Sequence, residues 1–151
     1  MNELLIEVTG LPPAKSEAWS MLGARHPHRA RVLRLLEVVH AAMAASGFSP
    51  FDAGDSIGME LLVRCHRDGH ARGDATNYLG GIGDVLQSQR TNADVSHLGD
   101  LAAISVYPDD KQIHEVHCMV LDDLNESYAI RLWRREFQVR PIATLGELRA
   151  G

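Results

Sequence analysis

Five polar residues carry the chemistry that this sequence could perform. In GDATNYLGGIGDVL (73–86), Asp74 stands three residues before Asn77, and Asp84 stands seven after it. In YPDDKQI (107–113), Asp109 and Asp110 are adjacent behind the turn residue Pro108. Carboxylates held about 4 Å apart repel by roughly 4 kcal/mol per pair at an effective dielectric near 20. A cluster of them requires a cation or a proton. Oxygen ligands alone suit Mg²⁺ or Mn²⁺ rather than zinc. A loop-to-helix aspartate and an aspartate pair at a strand start could converge at one end of a sheet. Taken singly, each element has a plainer reading. Asp74 is then a helix N-cap, and Asp109-Asp110 a solvated turn.

The elements that must position these groups show as patterns. Leu4–Val8 is a short strand-like run, ended by Gly10, Pro12 and Pro13. Over 28–45, Val32, Leu35, Leu36, Val39 and Met43 recur at helical spacing, with Pro27 suited to the first turn and Gly47 to the position past the end. Over 57–65, Ile57, Met59, Leu61, Val63 and Cys65 alternate with Gly58, Glu60, Leu62 and Arg64, as in a strand with one buried side. Residues 73–86 read as a second helix. Three more strand-like runs follow, at 102–107, 111–121 and 127–134. The order β-α-β-α-β-β-β predicts a small α/β (α+β) fold, a single domain over 1–151 with two main helices against a mixed sheet. The tail 138–151 is weakly patterned.

The second helix contains Gly80, Gly81 and Gly83, and each glycine costs a helix interior roughly 0.8–1 kcal/mol relative to alanine. On a helical wheel, Gly80, Gly81 and Asp84 all fall within about 60° of Asn77. That face has polar groups at its ends and no side chains between, so another segment could approach its backbone closely.

Composition narrows the function classes. With 45% hydrophobic and 23% charged residues, the chain is ordinary for a globular domain. A net charge of −5 weighs against nonspecific nucleic-acid binding but leaves room for a local basic groove. Cys65 and Cys118 form no CxxC pair, which favours a reduced, cytoplasmic setting. MNELLIEVTG resembles neither a signal peptide nor a membrane span. Gly81-Ile82-Gly83 lacks the third glycine of a dinucleotide fingerprint, and no organic cofactor is expected. Cys65, His66, His70, His114, His117 and Cys118 match no zinc-finger spacing.

At the acidic residues the sequence resembles the RusA-type Holliday-junction resolvases. That family has an Asp-x-Asp-Asn motif entering a helix, a further Asp seven residues on, and later an Asp-Asp pair before a strand. The matching residues are Asp74, Asn77, Asp84, Asp109 and Asp110, and VTGLPPAK resembles the family's first strand and proline loop. The likeness covers roughly 3–121. It departs at Thr76, where the family has its second Asp, and at Gly80, where the family typically has a lysine. The resemblance implies a homodimeric, Mg²⁺- or Mn²⁺-dependent endonuclease acting on branched DNA. It implies Asp74 and Asp110 as the main metal ligands, Asp109 and Asp84 as further ones, and Asn77 as a positioning residue. Asp84, on a helix, could instead pair with a basic neighbour.

Candidate phosphate contacts lie in RHPHRARVLR (25–34), where Arg25, Arg29 and Arg31 crowd the start of the first helix. Cations there oppose the helix dipole, so an anion would relieve them. Arg67 and Arg72 precede Asp74, and Lys15 follows the two prolines. Aromatic residues are only 5%, which favours backbone and shape recognition over base stacking.

Overall fold

The computed structural model describes residues 3–69, 73–88 and 94–136. Four strands, β1 (Glu3–Thr9), β2 (Ile57–Cys65), β3 (Ile113–Asp122) and β4 (Ser127–Arg134), form one sheet in the order β1-β4-β2-β3. β4 runs antiparallel to both β1 and β2, whereas β2 and β3 are parallel. A parallel pair needs a crossover, and α2 (Ala75–Leu86) lies within it. The sheet is therefore mixed and the fold α+β.

Alternation decides which side of the sheet is buried. Leu4, Ile6 and Val8 of β1, the odd-numbered residues of β2, and Tyr128, Ile130 and Leu132 of β4 all enter one core. α1 (Arg29–Ser46) covers that face with Val32, Leu35, Leu36 and Val39, and packs against β1. α2 contributes Tyr78, Ile82, Val85 and Leu86 and reaches β3. The helical spacing of these residues is the cause of both helices. α1 ends at Gly47, whose φ of 67° supplies the left-handed cap. It starts after His28, so Pro27 lies just before the helix rather than in its first turn.

One expected strand is absent. The 102–107 run forms no ladder: a 3-10 helix occupies Ser96–Ala103, and Tyr107 makes a single bridge with Gln87. Val106 and Tyr107 are buried as irregular chain, with the Val106 N–H donating to the Leu86 carbonyl at 2.8 Å. Their apolar character reflects burial under α2 rather than strand pairing. The tail 138–151 lies outside the described residues. Among the described residues, no helix is long and apolar enough to cross a membrane.

Candidate functional site

The loop after β1 explains the glycines of α2. Pro13 lays its main chain on Gly81, where a Cβ would overlap the Pro13 carbonyl. A Cβ on Gly80 would meet the Lys15 side chain, 3.1 Å from Cδ. The glycine face is thus covered by a segment of this same chain. The loop is pinned from both sides. The Lys15 N–H donates to the Asn77 carbonyl at 3.0 Å, the Arg31 guanidinium to the Pro12 carbonyl at 3.2 Å, and the Ala14 N–H to His28 Nδ1 at 2.9 Å.

This seating delivers the Lys15 ammonium to Asp84, at 3.3 Å from Oδ2. Asp84 in turn neighbours Asp110. The Asp110 carboxylate faces Gly83, near enough for ordinary contact with a methyl group placed there. Gln87 Oε1 accepts the Asp110 N–H at 3.1 Å and fixes the turn against the end of α2. Burial raises the Asp110 pKa above the usual carboxylate range, and the charges of Asp84 and Asp109 raise it further, while Lys15 opposes them. The location adds to the strain on charge, because the carbonyl end of a helix disfavours carboxylates. Beneath the pair, Tyr107 donates its hydroxyl to the Gly83 carbonyl at 3.0 Å. Its pKa lies well above the ordinary phenol value, first through burial and then through Asp110 and Asp84.

The five acidic-motif residues do not converge on one point. Asp74 is the N-cap of α2: Oδ1 accepts the Asn77 N–H at 2.8 Å and Oδ2 accepts the Asn77 side-chain amide at 3.1 Å. Asp74 and Asn77 satisfy each other there. A helix rises about 1.5 Å per residue, so Asp74 stands roughly 15 Å along the axis from Asp84. The topology forces this separation. α2 runs back along the sheet from the end of β2, so its last turn, not its first, meets the residues that lead into β3. Expected convergence of Asp74 with Asp110 gives way to a pair made by Asp84 and Asp110. Asp109 builds the turn itself. Its Oδ1 accepts the Lys111 N–H at 2.9 Å, and its own N–H donates to Gln112 Oε1 at 3.1 Å.

The basic candidates are also dispersed. Arg25 and Arg29 are exposed and make no ion pair among the described residues. Arg31 braces the Pro12 carbonyl. Arg67 pairs with Asp122 at 3.2 Å, at the end of β2 and β3 away from Asp110. Arg72 and His70 lie outside the described residues. Sequence reading missed Gln87, Tyr107 and His28 as supports of the site. Only the paired small residues Gly80-Gly81 signalled that a distant loop would dock there.

The donor set fits a hard divalent cation. The charge of Asp84 weighs on the ionised form of Asp110, a cost such an ion would relieve, and magnesium commonly takes one or two carboxylates with water completing its shell. Among the described residues no group of three His, Cys, Asp or Glu side chains forms a fuller cage. No protein-family model matches the chain, and no curated protein matches it.

Proposed function

We propose that the protein is a RusA-like, metal-dependent endonuclease that cleaves branched DNA such as Holliday junctions. The observation that carries this reading is the Asp84–Asp110 pair at the end of α2, with a lysine ammonium beside it. Asp84 and Asp110 would hold Mg²⁺ or Mn²⁺. When bound, that ion supplies activation of water for in-line attack on a phosphodiester and stabilisation of the leaving oxygen. The chain's own residues do the positioning. Gln87 and the Asp109 turn hold Asp110, Tyr107 fixes the Gly83 carbonyl below it, and the Pro12–Lys15 loop sets Lys15 over Asp84. Exposed Arg25 and Arg29, at the start of α1, suit contacts to DNA phosphates beyond the pair. A homodimer follows from the family resemblance, and the two free cysteines suit a cytoplasmic location.

A second reading is a noncatalytic member of the same fold that binds nucleic acid or a protein partner. It draws on the Lys15–Asp84 ion pair, which answers one carboxylate without a metal, and on the uncharged Thr76. A labelled four-way junction and a matching duplex, incubated with the protein in Mg²⁺, Mn²⁺ or EDTA, separate the two. Metal-dependent nicking of the junction, lost in Asp110→Asn, supports the nuclease. Binding without nicking supports the second reading.

A further inference from the structure

Two histidines stand behind the loop that carries Lys15. His26 is buried, and its Nδ1 accepts the His28 N–H at 2.9 Å. His28 Nδ1 accepts the Ala14 N–H at 2.9 Å. The next residue is Lys15, whose N–H is tied to Asn77 and whose ammonium meets Asp84. An imidazole nitrogen that accepts a hydrogen bond carries no proton, so both rings are neutral with the proton on Nε2. Among the described residues, His26 Nε2 is buried without a hydrogen-bond partner. The rings meet edge to face with centroids 5.6 Å apart.

From this series of bonds we infer that His28, backed by His26, is a positioning residue that seats Lys15 on Asp84 only while both rings are neutral. A proton added at His28 Nδ1 would face the Ala14 N–H, donor against donor, and the bond would be lost. The loop would then keep its contacts to Arg31 and Asn77 but lose the one at Ala14, the residue before Lys15. Burial holds both imidazoles below their ordinary pKa; for His28 the charges of Arg31 and His26 add to the effect, and the Ala14 backbone opposes it without reversing it. The groups facing His28 are Arg31 of α1, His26 of the preceding turn and the Ala14 amide of the loop. No carboxylate among the described residues figures in its surroundings. His28 should therefore take up its proton below the ordinary imidazole pKa, and doing so would free the Ala14 amide while the Asn77 and Arg31 contacts remain.

The consequence for catalysis rests on the nuclease reading, but the positioning role does not, and the test separates them. Uniformly ¹⁵N-labelled protein is titrated from about pH 8 to 5 with the amide resonances followed, and junction nicking is measured over the same range. The Ala14 and Lys15 amides should shift together with a midpoint below the ordinary imidazole value of 6.5. In His28→Asn, whose Oδ1 can accept the Ala14 N–H but cannot titrate, that transition should disappear. His26→Asn serves as the second variant should the first not fold, and it should move the midpoint. Nicking by the wild type should fall through the same midpoint and lose that step in His28→Asn. Ala14 and Lys15 amides that do not respond to pH, or that respond identically in the folded variant, would overturn the inference whatever the nicking does. The amide transition without nicking at any pH would overturn the nuclease reading and uphold the positioning role.

Discussion

Pro13 rests its main-chain carbonyl on Gly81 so closely that no Cβ fits between them. The second helix tolerates its glycines because this contact, with Lys15 over Gly80, ties the first loop to α2. Gly81→Ala should gain helix propensity of up to about 1 kcal/mol yet lose more through forced displacement of the loop, typically 1–3 kcal/mol for overpacking. We expect a net loss of up to roughly 2 kcal/mol in urea unfolding. A Gly81→Ala protein more stable than the wild type would show that the loop does not sit there.

Asp74 gives a sharper contrast. Both of its carboxylate oxygens are engaged by Asn77 at the start of α2. Asp74→Ala should cost about 0.5–2 kcal/mol of stability, whereas Asp74→Asn, an equally good N-cap, should cost little. Because Asp74 lies at the far end of α2 from Asp110, Asp74→Asn should also retain nicking of a junction. Loss of nicking in a fully folded Asp74→Asn protein would restore the sequence-based expectation that Asp74 belongs to the reacting centre.

Much of the fold could be read from periodicity. Alternation marked β2 over the range the structure gives it, and helical spacing marked the buried residues of α1. Local patterns failed where long-range placement decided the outcome. Val106 and Tyr107 look like strand residues because both are buried, but they are buried by α2 and the loop at Phe51 rather than by a ladder. The acidic elements suggested one site because a loop-to-helix aspartate and an aspartate pair at a strand start could meet at one end of a sheet. A twelve-residue helix instead places Asp74 at its N-cap and Asp84 in its last turn. Lys15 was a candidate phosphate contact; Gly80 and Gly81 signalled that some segment would dock on α2, but no local pattern showed that the docked loop would bring Lys15 to Asp84.

Asp110 carries a raised pKa, caused first by burial and then by Asp84 and Asp109. A carboxyl whose folded pKa exceeds its unfolded value of 3.8 favours folding below that value and loses that contribution as pH rises through the folded pKa. At neutral pH its ionised form is therefore a burden on the fold. Asp110→Asn should leave the protein as stable as the wild type or more so at pH 7, with the difference shrinking toward pH 3.8. Denaturant titrations at several pH values in EDTA would check this. A strong destabilisation at pH 7 would mean that the Asp110 carboxylate has a stabilising partner beyond those described.

The most direct measurement is saturable Mn²⁺ binding by the wild type, Asp84→Asn, Asp110→Asn and Asp74→Asn. We expect the wild type to bind at millimolar or lower concentration, both pair variants to lose that binding, and Asp74→Asn to keep it. Binding that survives in both pair variants but is lost in Asp74→Asn, or no saturable binding by the wild type, would contradict the assignment of Asp84 and Asp110 as the metal-holding pair.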